Sequence, residues 1–239
     1  MIRNKKKVLL EDMKDILEFY QALGFERLPI TLEKESAMLT IPAKGSQTRS
    51  RAMKANALRA LRKKIGDCKR CKLFDKRTHI VFGEGNPNAE LIFIGEAPGR
   101  EEDIQGRPFV GDAGMLLTRL IEKMGLMKKN VYIANIVKCR PPMNRDPEID
   151  EIETCKGFLE RQIEIIEPKV IMSLGRIAAQ TLIGNTKAKI TSIRGKIFDY
   201  KGIPLMPTFH PAYLIRNPKD KWLTWDDAQR VVEILKRED

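Results

Sequence analysis

The chain has 239 residues, of which 42% are hydrophobic, enough for one globular domain with or without an appendage. It has neither an apolar stretch of roughly 20 residues, as a membrane span requires, nor the apolar segment of a secretion signal, so we expect a cytoplasmic protein. Its formal net charge of +12 favours a nucleic-acid partner slightly over a plain basic protein.

The first 66 residues carry much of this charge, with 15 Lys and Arg against 7 Asp and Glu. Apolar periodicity predicts a helix over 9–20, which Gly24 would end, and mixed polar residues over 25–50 predict a linker. A basic helix is predicted over 51–65. We therefore divide the chain into an N-terminal helical extension with its linker, 1–50, and a main domain, 51–239.

Four cysteines follow, and they are the only ones in the chain. Cys68 and Cys71 form a Cys-x-x-Cys pair, whereas Cys139 and Cys155 stand alone. Structural disulfides are rare in cytoplasmic proteins, so metal ligation is the better use for four thiols. A shell of four sulfurs suits either a zinc ion or an iron–sulfur cluster.

After the cysteine pair the sequence alternates between short apolar runs and helical periodicity. Strands are predicted over 91–94, 131–134, 170–174 and 204–208, with 197–200 leading into the last one. Helices are predicted with Asp112 as N-cap, over 148–166, over 177–182 and with Thr224 as N-cap; the first of these would bury Met115, Leu116, Leu120 and Met124. This alternation predicts an α/β fold, a three-layer α/β/α sandwich around a mostly parallel sheet of about four strands.

Ligands of such folds bind outside the carboxyl ends of the parallel strands, which selects three loops. The loop over 95–111 is rich in Gly and Pro, carries Glu96, Glu101, Glu102 and Asp103, and places Phe109 outside any periodic stripe. The second loop starts at Asn135, whose amide could read a base edge, and the third starts at His210. A tight turn, a capping Asn and a structural His are the alternatives for these loops.

Together these segments resemble the iron–sulfur uracil-DNA glycosylases, which form family 4 of the uracil-DNA glycosylase superfamily. The resemblance rests on Gly-Glu-Ala-Pro-Gly at 95–99 with the stretch 106–111, on Asn135 with Lys-Cys-Arg-Pro-Pro at 138–142, and on His-Pro-Ala-Tyr-Leu at 210–214. It covers about residues 60–235, includes all four cysteines and leaves 1–50 outside.

The resemblance implies a monomeric base excision repair enzyme that flips uracil out of double- or single-stranded DNA and hydrolyses its N-glycosidic bond. It also implies a structural [4Fe–4S] cluster on the four cysteines. The implied uracil-binding residues are Gly95, Glu96, Ala97, Phe109, Asn135 and His210. The implied DNA-binding residues are Arg140, Tyr213, Leu214 and Arg216, although Arg140 could equally be plain surface charge.

The resemblance gives His210 a catalytic role beside uracil O2, but it leaves the water-activating role vacant. In the best-known branch of the superfamily an Asp stands where this chain has Ala97. We hypothesise that Glu102 or Asp103 positions the water, with Glu96 as the third candidate.

Two alternatives explain parts of the sequence. A non-catalytic zinc or iron–sulfur DNA-binding protein accounts for the cysteines and the charge, but not for Glu96, Phe109, Asn135 and His210 at one sheet edge. A glycosylase of the same fold that acts on another deaminated base, such as hypoxanthine, is compatible with the space that Ala97 leaves. The helix over 9–20 is a candidate for docking on the main domain or on a partner protein or DNA.

Overall fold

The structure, a computed structural model, describes residues 47–237, so the predicted helix over 9–20 and most of the linker lie outside it. Six strands in this part of the chain form one sheet in the order β1-β3-β2-β4-β6-β5. They are β1 (Glu84–Gly85), β2 (Leu91–Gly95), β3 (Tyr132–Asn135), β4 (Val170–Leu174), β5 (Phe198–Tyr200) and β6 (Ile203–Thr208). The four central strands are parallel, as predicted, and the short β1 and β5 add antiparallel edges.

Helices cover both faces of this sheet. They are α1 (Gln47–Ile65), α2 (Arg100–Gln105), α3 (Asp112–Lys123), α4 (Ile149–Ile166), α5 (Arg176–Ile183), α6 (Ile190–Ile193), α7 (Pro211–Arg216) and α8 (Lys221–Lys236). No helix among residues 47–237 is long and apolar enough to cross a lipid bilayer.

Alternating residues of each central strand feed two separate cores, as the period of two in a strand requires. Ile92 and Ile94 pack in one core with side chains of α1, α4 and α5, whereas Leu91 and Phe93 pack in the other with α3 and α8. The predicted three-layer α/β/α sandwich is therefore confirmed.

Helix α1 lies antiparallel to α4. Near its start, Lys54 Nζ donates to the carbonyl of Ile166 at 2.9 Å, at the end of α4. At its other end Ile65 shares a small cavity with Cys155, near the start of α4. The predicted inward residues Leu58, Leu61 and Ile65 are all buried.

Two predicted N-caps were wrong, and α1 begins at Gln47 rather than at residue 51. Gly111 is the N-cap of α3, with Asp112 as its first residue, and the helix buries Leu117 and Ile121 while Met115 is 55% exposed. Helix α8 begins at Lys221, directly after a 3-10 turn over Pro218–Asp220. Thr224 therefore lies inside α8 and is buried, where its hydroxyl accepts from that of Thr208 at 3.2 Å.

Candidate active site

A pocket of about 390 Å³ opens at the carboxyl ends of β2, β3 and β6. It brings together residues from all three selected loops. Its lining includes the predicted residues Glu96, Ala97, Glu102, Phe109, Asn135 and His210, with Tyr213 and Arg216 at the margin.

Asn135 is the last residue of β3, and it pairs in register with Gly95, the last residue of β2. Its side chain is 2% exposed, and its Oδ1 is buried without a hydrogen-bond partner in the described structure. Buried polar atoms are almost always paired, because an unmet acceptor costs free energy. Oδ1 of Asn135 therefore offers a buried acceptor to an N–H group that enters the pocket.

Phe109 packs over the same end of β2 in a backbone conformation that is rare for its residue type. Its φ is +51°, in the left-handed region. Its carbonyl oxygen lies so close to α3 that a Cβ on Gly114 would stand 1.9 Å away. The ring lies 5.7 Å from that of His210, centroid to centroid. The loop thus holds an aromatic face against the pocket at the cost of backbone strain.

His210 is the N-cap of α7, and its Nδ1 accepts a hydrogen bond from the backbone N–H of Ala212 at 3.1 Å. Burial lowers the pKa of His210 to about 4, so the ring is neutral at physiological pH. Since Nδ1 is an acceptor, the single ring proton is on Nε2. His210 is therefore a neutral hydrogen-bond donor in the wall of the pocket.

Glu102 lines the pocket, but backbone groups already bind both of its carboxylate oxygens. Oε1 accepts from the N–H groups of Val110 and Gly111 at 2.9 and 3.1 Å, and Oε2 accepts from that of Gly99 at 3.1 Å. These bonds tie the two ends of the glycine-rich loop together. The geometry gives Glu102 a structural role.

Asp103 does not reach the pocket, in contrast to the hypothesis that it positions water. It is 3% exposed and lies on a different face of α2, where its carboxylate accepts from the backbone N–H groups of Thr78 and His79 at 2.9 and 3.3 Å. The difference arises because residues 100–105 form a helix, which turns consecutive side chains about 100° apart.

Glu96 has the perturbed carboxyl group of this pocket. Burial, reinforced by the nearby carboxylate of Asp146, raises the pKa of Glu96 to about 7, against an opposing effect of the Arg176 guanidinium. Arg176 in turn forms an ion pair with Asp146. A carboxyl group poised near neutrality in a pocket is a candidate for general base chemistry.

Helix α7 shapes one margin of the pocket. Tyr213 stacks on Phe209 with ring centroids 4.8 Å apart, and its hydroxyl donates to Asp220 at 2.7 Å. Leu214 is only 4% exposed, so this side chain does not face solvent, contrary to what a DNA contact requires. The exposed residues of this helix are Ile215 and Arg216.

The four cysteines line one small cavity between α1, α4 and the loop after β3. Burial raises the pKa values of Cys71, Cys139 and Cys155, that of Cys139 to about 12. Arg70 Nη1 lies 3.2 Å from the sulfur of Cys68, and Arg77 Nη1 lies 3.6 Å from that of Cys139. Four thiols around one cavity, with cations beside two of them, match the donor set of a tetrathiolate centre.

No group of three His, Cys, Asp or Glu side chains within residues 47–237 is arranged to hold a single metal ion.

A buried amine lies behind Asn135, and no pattern in the sequence predicts it. Lys138 is buried, and its Nζ donates to the carbonyl of Asn135 at 2.8 Å and to Oε1 of Gln162 at 2.6 Å. Gln162 also donates to the hydroxyl of Tyr132 at 3.1 Å. This network fixes the end of β3 to α4, and a lysine in a sequence is normally read as a surface residue.

Comparisons with known proteins agree with this geometry. The sequence profile of the Uracil DNA glycosylase superfamily matches residues 82–233. The chain is 49% identical over 180 residues to the Type-4 uracil-DNA glycosylase of Saccharolobus solfataricus, an alignment that covers 72% of this chain and 83% of that protein. Proteins of the same name from Sulfurisphaera tokodaii and Thermotoga maritima are 45% and 44% identical. Those two alignments cover 75% and 73% of this chain, and 85% and 93% of the relatives.

Proposed function

The chain belongs to the uracil DNA glycosylase superfamily, and we infer that it removes uracil from DNA by hydrolysing the N-glycosidic bond. It is an N-glycosyl hydrolase of DNA repair. The reaction releases free uracil and leaves an abasic site. The buried, unpaired Oδ1 of Asn135 at the bottom of the pocket is the observation that supports this function most directly.

We propose that Asn135 reads the base. Its Oδ1 would accept the N3–H of uracil, and its amide nitrogen would donate to O4, while Phe109 stacks on the ring. Cytosine presents an acceptor at N3 and an amino donor at position 4, so both contacts would be lost. A site that hydrogen-bonds a polar edge rejects an analogue that lacks it, because buried groups are then left unpaired.

His210 would stabilise the departing base. Cleavage of the bond between C1′ and N1 leaves negative charge on uracil and positive charge on the sugar. A neutral imidazole that donates from Nε2 can hydrogen-bond the developing anion at O2, much as an oxyanion hole does. Backbone groups at Glu96 and Ala97 would complete this part of the pocket.

We propose that Glu96 positions the attacking water, in place of the first two candidates of the sequence analysis. Glu102 is held by three backbone N–H groups, and Asp103 lies outside the pocket. Glu96 lines the pocket, and its raised pKa makes its carboxylate a stronger base, although only part of the population is ionised near neutral pH. In its ionised form the carboxylate would also favour the cationic sugar.

DNA would lie across the mouth of the pocket. Arg216 is exposed at the pocket margin, and Arg140 donates from Nε to Oδ1 of Asn144 at 2.7 Å in the neighbouring loop. We propose that Arg216 and Arg140 contact phosphates and that Tyr213 and its helix support the extruded nucleotide.

We further propose that the protein acts as a monomer in the cytoplasm. Light scattering of the protein with and without DNA tests whether it is a monomer.

We propose that Cys68, Cys71, Cys139 and Cys155 hold a [4Fe–4S] cluster. When bound, it would supply a rigid cross-link between α1, α4 and the loop after Asn135, and no redox step. Zinc on the same thiols is the alternative. A brown protein with about four iron and four sulfide ions per chain supports the cluster, and a colourless protein that contains zinc overturns it.

We propose that the N-terminal extension 1–50 binds DNA or a partner protein. A truncated chain that starts at Gln47, the first residue of α1, tests the first option through the salt dependence of DNA binding. Loss of phosphate contacts would make the slope of log K against log salt shallower by about 0.9 per contact. An unchanged slope would exclude phosphate contacts from this segment.

Excision itself is tested with a panel of single-lesion oligonucleotides. We expect release of uracil and not of thymine or cytosine, from both single- and double-stranded substrates. Faster release of hypoxanthine than of uracil would instead favour a glycosylase that acts on another deaminated base. The small side chain of Ala97 leaves room for such a base.

A further inference from the structure

Met143 is the most exposed large apolar side chain of the described residues, at 93%. It lies in the 3-10 turn Pro142–Asn144, between Pro141 and Asn144, which both line the pocket. Met143 is therefore an apolar side chain that projects from the rim of the pocket rather than from a remote surface. It belongs to none of the three motif segments on which the family resemblance rests.

Two residues of this turn have left-handed backbone conformations, which Asn tolerates and Met rarely adopts. The φ angles of Met143 and Asn144 are +52° and +54°, both in the left-handed region. Glycine would enter this region without a steric penalty, whereas Met carries one. Backbone strain of this kind is retained where the surrounding structure enforces it, and it clusters at functional sites.

Several contacts enforce the turn. Arg140 Nε donates to Oδ1 of Asn144, and Asn144 N donates to the carbonyl of Pro141 at 3.1 Å. Arg145 forms two hydrogen bonds, of 2.9 and 2.7 Å, with the carboxylate of Glu151, whose side chain is fully buried in α4. Met143 is thus carried by a rigid loop that is anchored to the core, and it cannot easily fold back on the surface.

A duplex substrate creates a need for such a side chain. A uracil inside the stack must leave its neighbours before it can reach Asn135, and unstacking is unfavourable unless the gap is filled. The segment 211–216 was expected to fill it, but Leu214 is buried, and only Ile215 of that helix exposes an apolar side chain. Met143 projects from a different loop of the same rim.

We propose that Met143 is an apolar wedge that enters the base stack beside the uracil and stabilises the opened duplex. The proposal rests on the proposed function, since it assumes that uracil is extruded from DNA. The loop after β3 would then have a role on double-stranded DNA alone, because the base in a single strand has no partner strand from which it must be separated. Met143 would therefore contribute to duplex opening and not to bond cleavage.

Single-turnover excision from one oligonucleotide, used both single-stranded and in a duplex, tests this role. The variant Met143→Ala keeps a Cβ and hence the same backbone strain, but it removes the apolar extension. We expect it to lower the rate on the duplex about 10- to 100-fold and to leave the single-strand rate within about twofold. 2-Aminopurine placed next to the uracil should brighten in the duplex with the wild-type protein and much less with Met143→Ala.

Two further variants serve as controls: one keeps the volume of the side chain at position 143, and the other removes an exposed methionine elsewhere on the surface. Met143→Leu retains an apolar side chain of similar volume and should restore the duplex rate to within about threefold of wild type. Met127→Ala removes another exposed methionine, which precedes β3 and does not line the pocket, and should change neither rate.

The outcomes separate this proposal from the proposed function. A Met143→Ala protein that excises uracil from the duplex at the wild-type rate overturns the wedge alone. Equal losses on both substrates also overturn it, because the side chain would then act on the pocket or the fold. Wild-type protein that releases uracil from neither substrate would overturn the proposed function instead.

Discussion

Gly95 and Asn135 end two adjacent parallel strands so close together that a Cβ on Gly95 would lie 2.4 Å from Oδ1 of Asn135. The same Cβ would lie 2.7 Å from Cζ of Phe109. Only a residue without a side chain leaves the amide and the ring in their places.

We therefore expect Gly95→Ala to displace Asn135 and Phe109 and to lower uracil excision by about 100-fold or more, as a shift of 1 Å in a site can do. The variant should remain folded, with a loss of about 1–3 kcal/mol of stability from overpacking. Gly157→Ala in α4 is the matched control, because a Cβ there meets nothing within 4 Å. Wild-type kinetics for Gly95→Ala would show that the pocket has more room than the structure indicates.

Asn135→Asp changes the group that would donate to uracil O4 into an acceptor. Excision of uracil should fall about 100- to 1000-fold, the usual effect of losing one such donor. The alternative outcome is that the variant gains some activity on cytosine. Steady-state and single-turnover rates on uracil- and cytosine-containing strands measure both effects. Unchanged rates on both bases would remove Asn135 from base recognition.

His210→Ala should lower the single-turnover rate about 100- to 1000-fold on single- and double-stranded substrates alike, because the donor to the departing base is lost in both. This pattern differs from the duplex-specific effect expected for Met143. The other histidine of the chain supplies the control: His79 is exposed and outside the pocket, and His79→Ala should be neutral. A His210→Ala protein that loses activity only on duplex DNA would assign this residue to base extrusion.

The pH dependence of kcat/KM should reveal the ionisation of Glu96. Because its pKa is raised to about 7, the carboxylate form prevails above that pH, and the proton occupies it below. If the carboxylate positions water, kcat/KM should fall about tenfold for each pH unit below the pKa. Glu96→Gln should be slower and should lack this dependence, whereas a retained acid limb in the variant would locate the ionisation elsewhere.

Replacement of a cysteine should affect the fold before the chemistry. Cys68→Ser would remove one of the four proposed thiol ligands and weaken the attachment of α1. We therefore expect the midpoint of thermal unfolding to fall by at least about 5 °C. Thr154→Ala changes a residue of the same cavity that has no sulfur and should shift the midpoint much less. At low temperature, the protein that remains folded should excise uracil at a rate near that of the wild type. If the rate instead falls in proportion to the metal content while the protein stays folded, the metal centre has a direct role in excision.

The sequence predicted the features that rest on long patterns or on the chemistry of single residues. The four parallel strands are predicted by mainly apolar runs, and Asn135 and His210 are found because they lie at or just beyond the ends of such runs. The placement of Asn135, His210 and Phe109 around one pocket followed from the rule that parallel strands point their carboxyl ends to one edge.

The features that the sequence did not predict depend on short elements and on tertiary contacts. Strand β1 has two residues and α2 has six, too few to show a period. The orientation of Asp103 away from the pocket depends on α2. The positive φ of Phe109 and the burial of Leu214 follow from packing against α3. None of these can be recognised from neighbours in the sequence.

The two antiparallel edges of the sheet have a consequence for how copies of the protein meet. Strand β1 offers only Glu84–Gly85 and β5 only Phe198–Tyr200, so each edge exposes very few backbone groups to an incoming strand. Long, flat edges are the usual starting points of strand-to-strand aggregation, and short ones oppose it. Within residues 47–237 the sheet therefore offers an incoming strand only short edges, and the folded form of this part of the chain has little exposed sheet from which fibrils could grow.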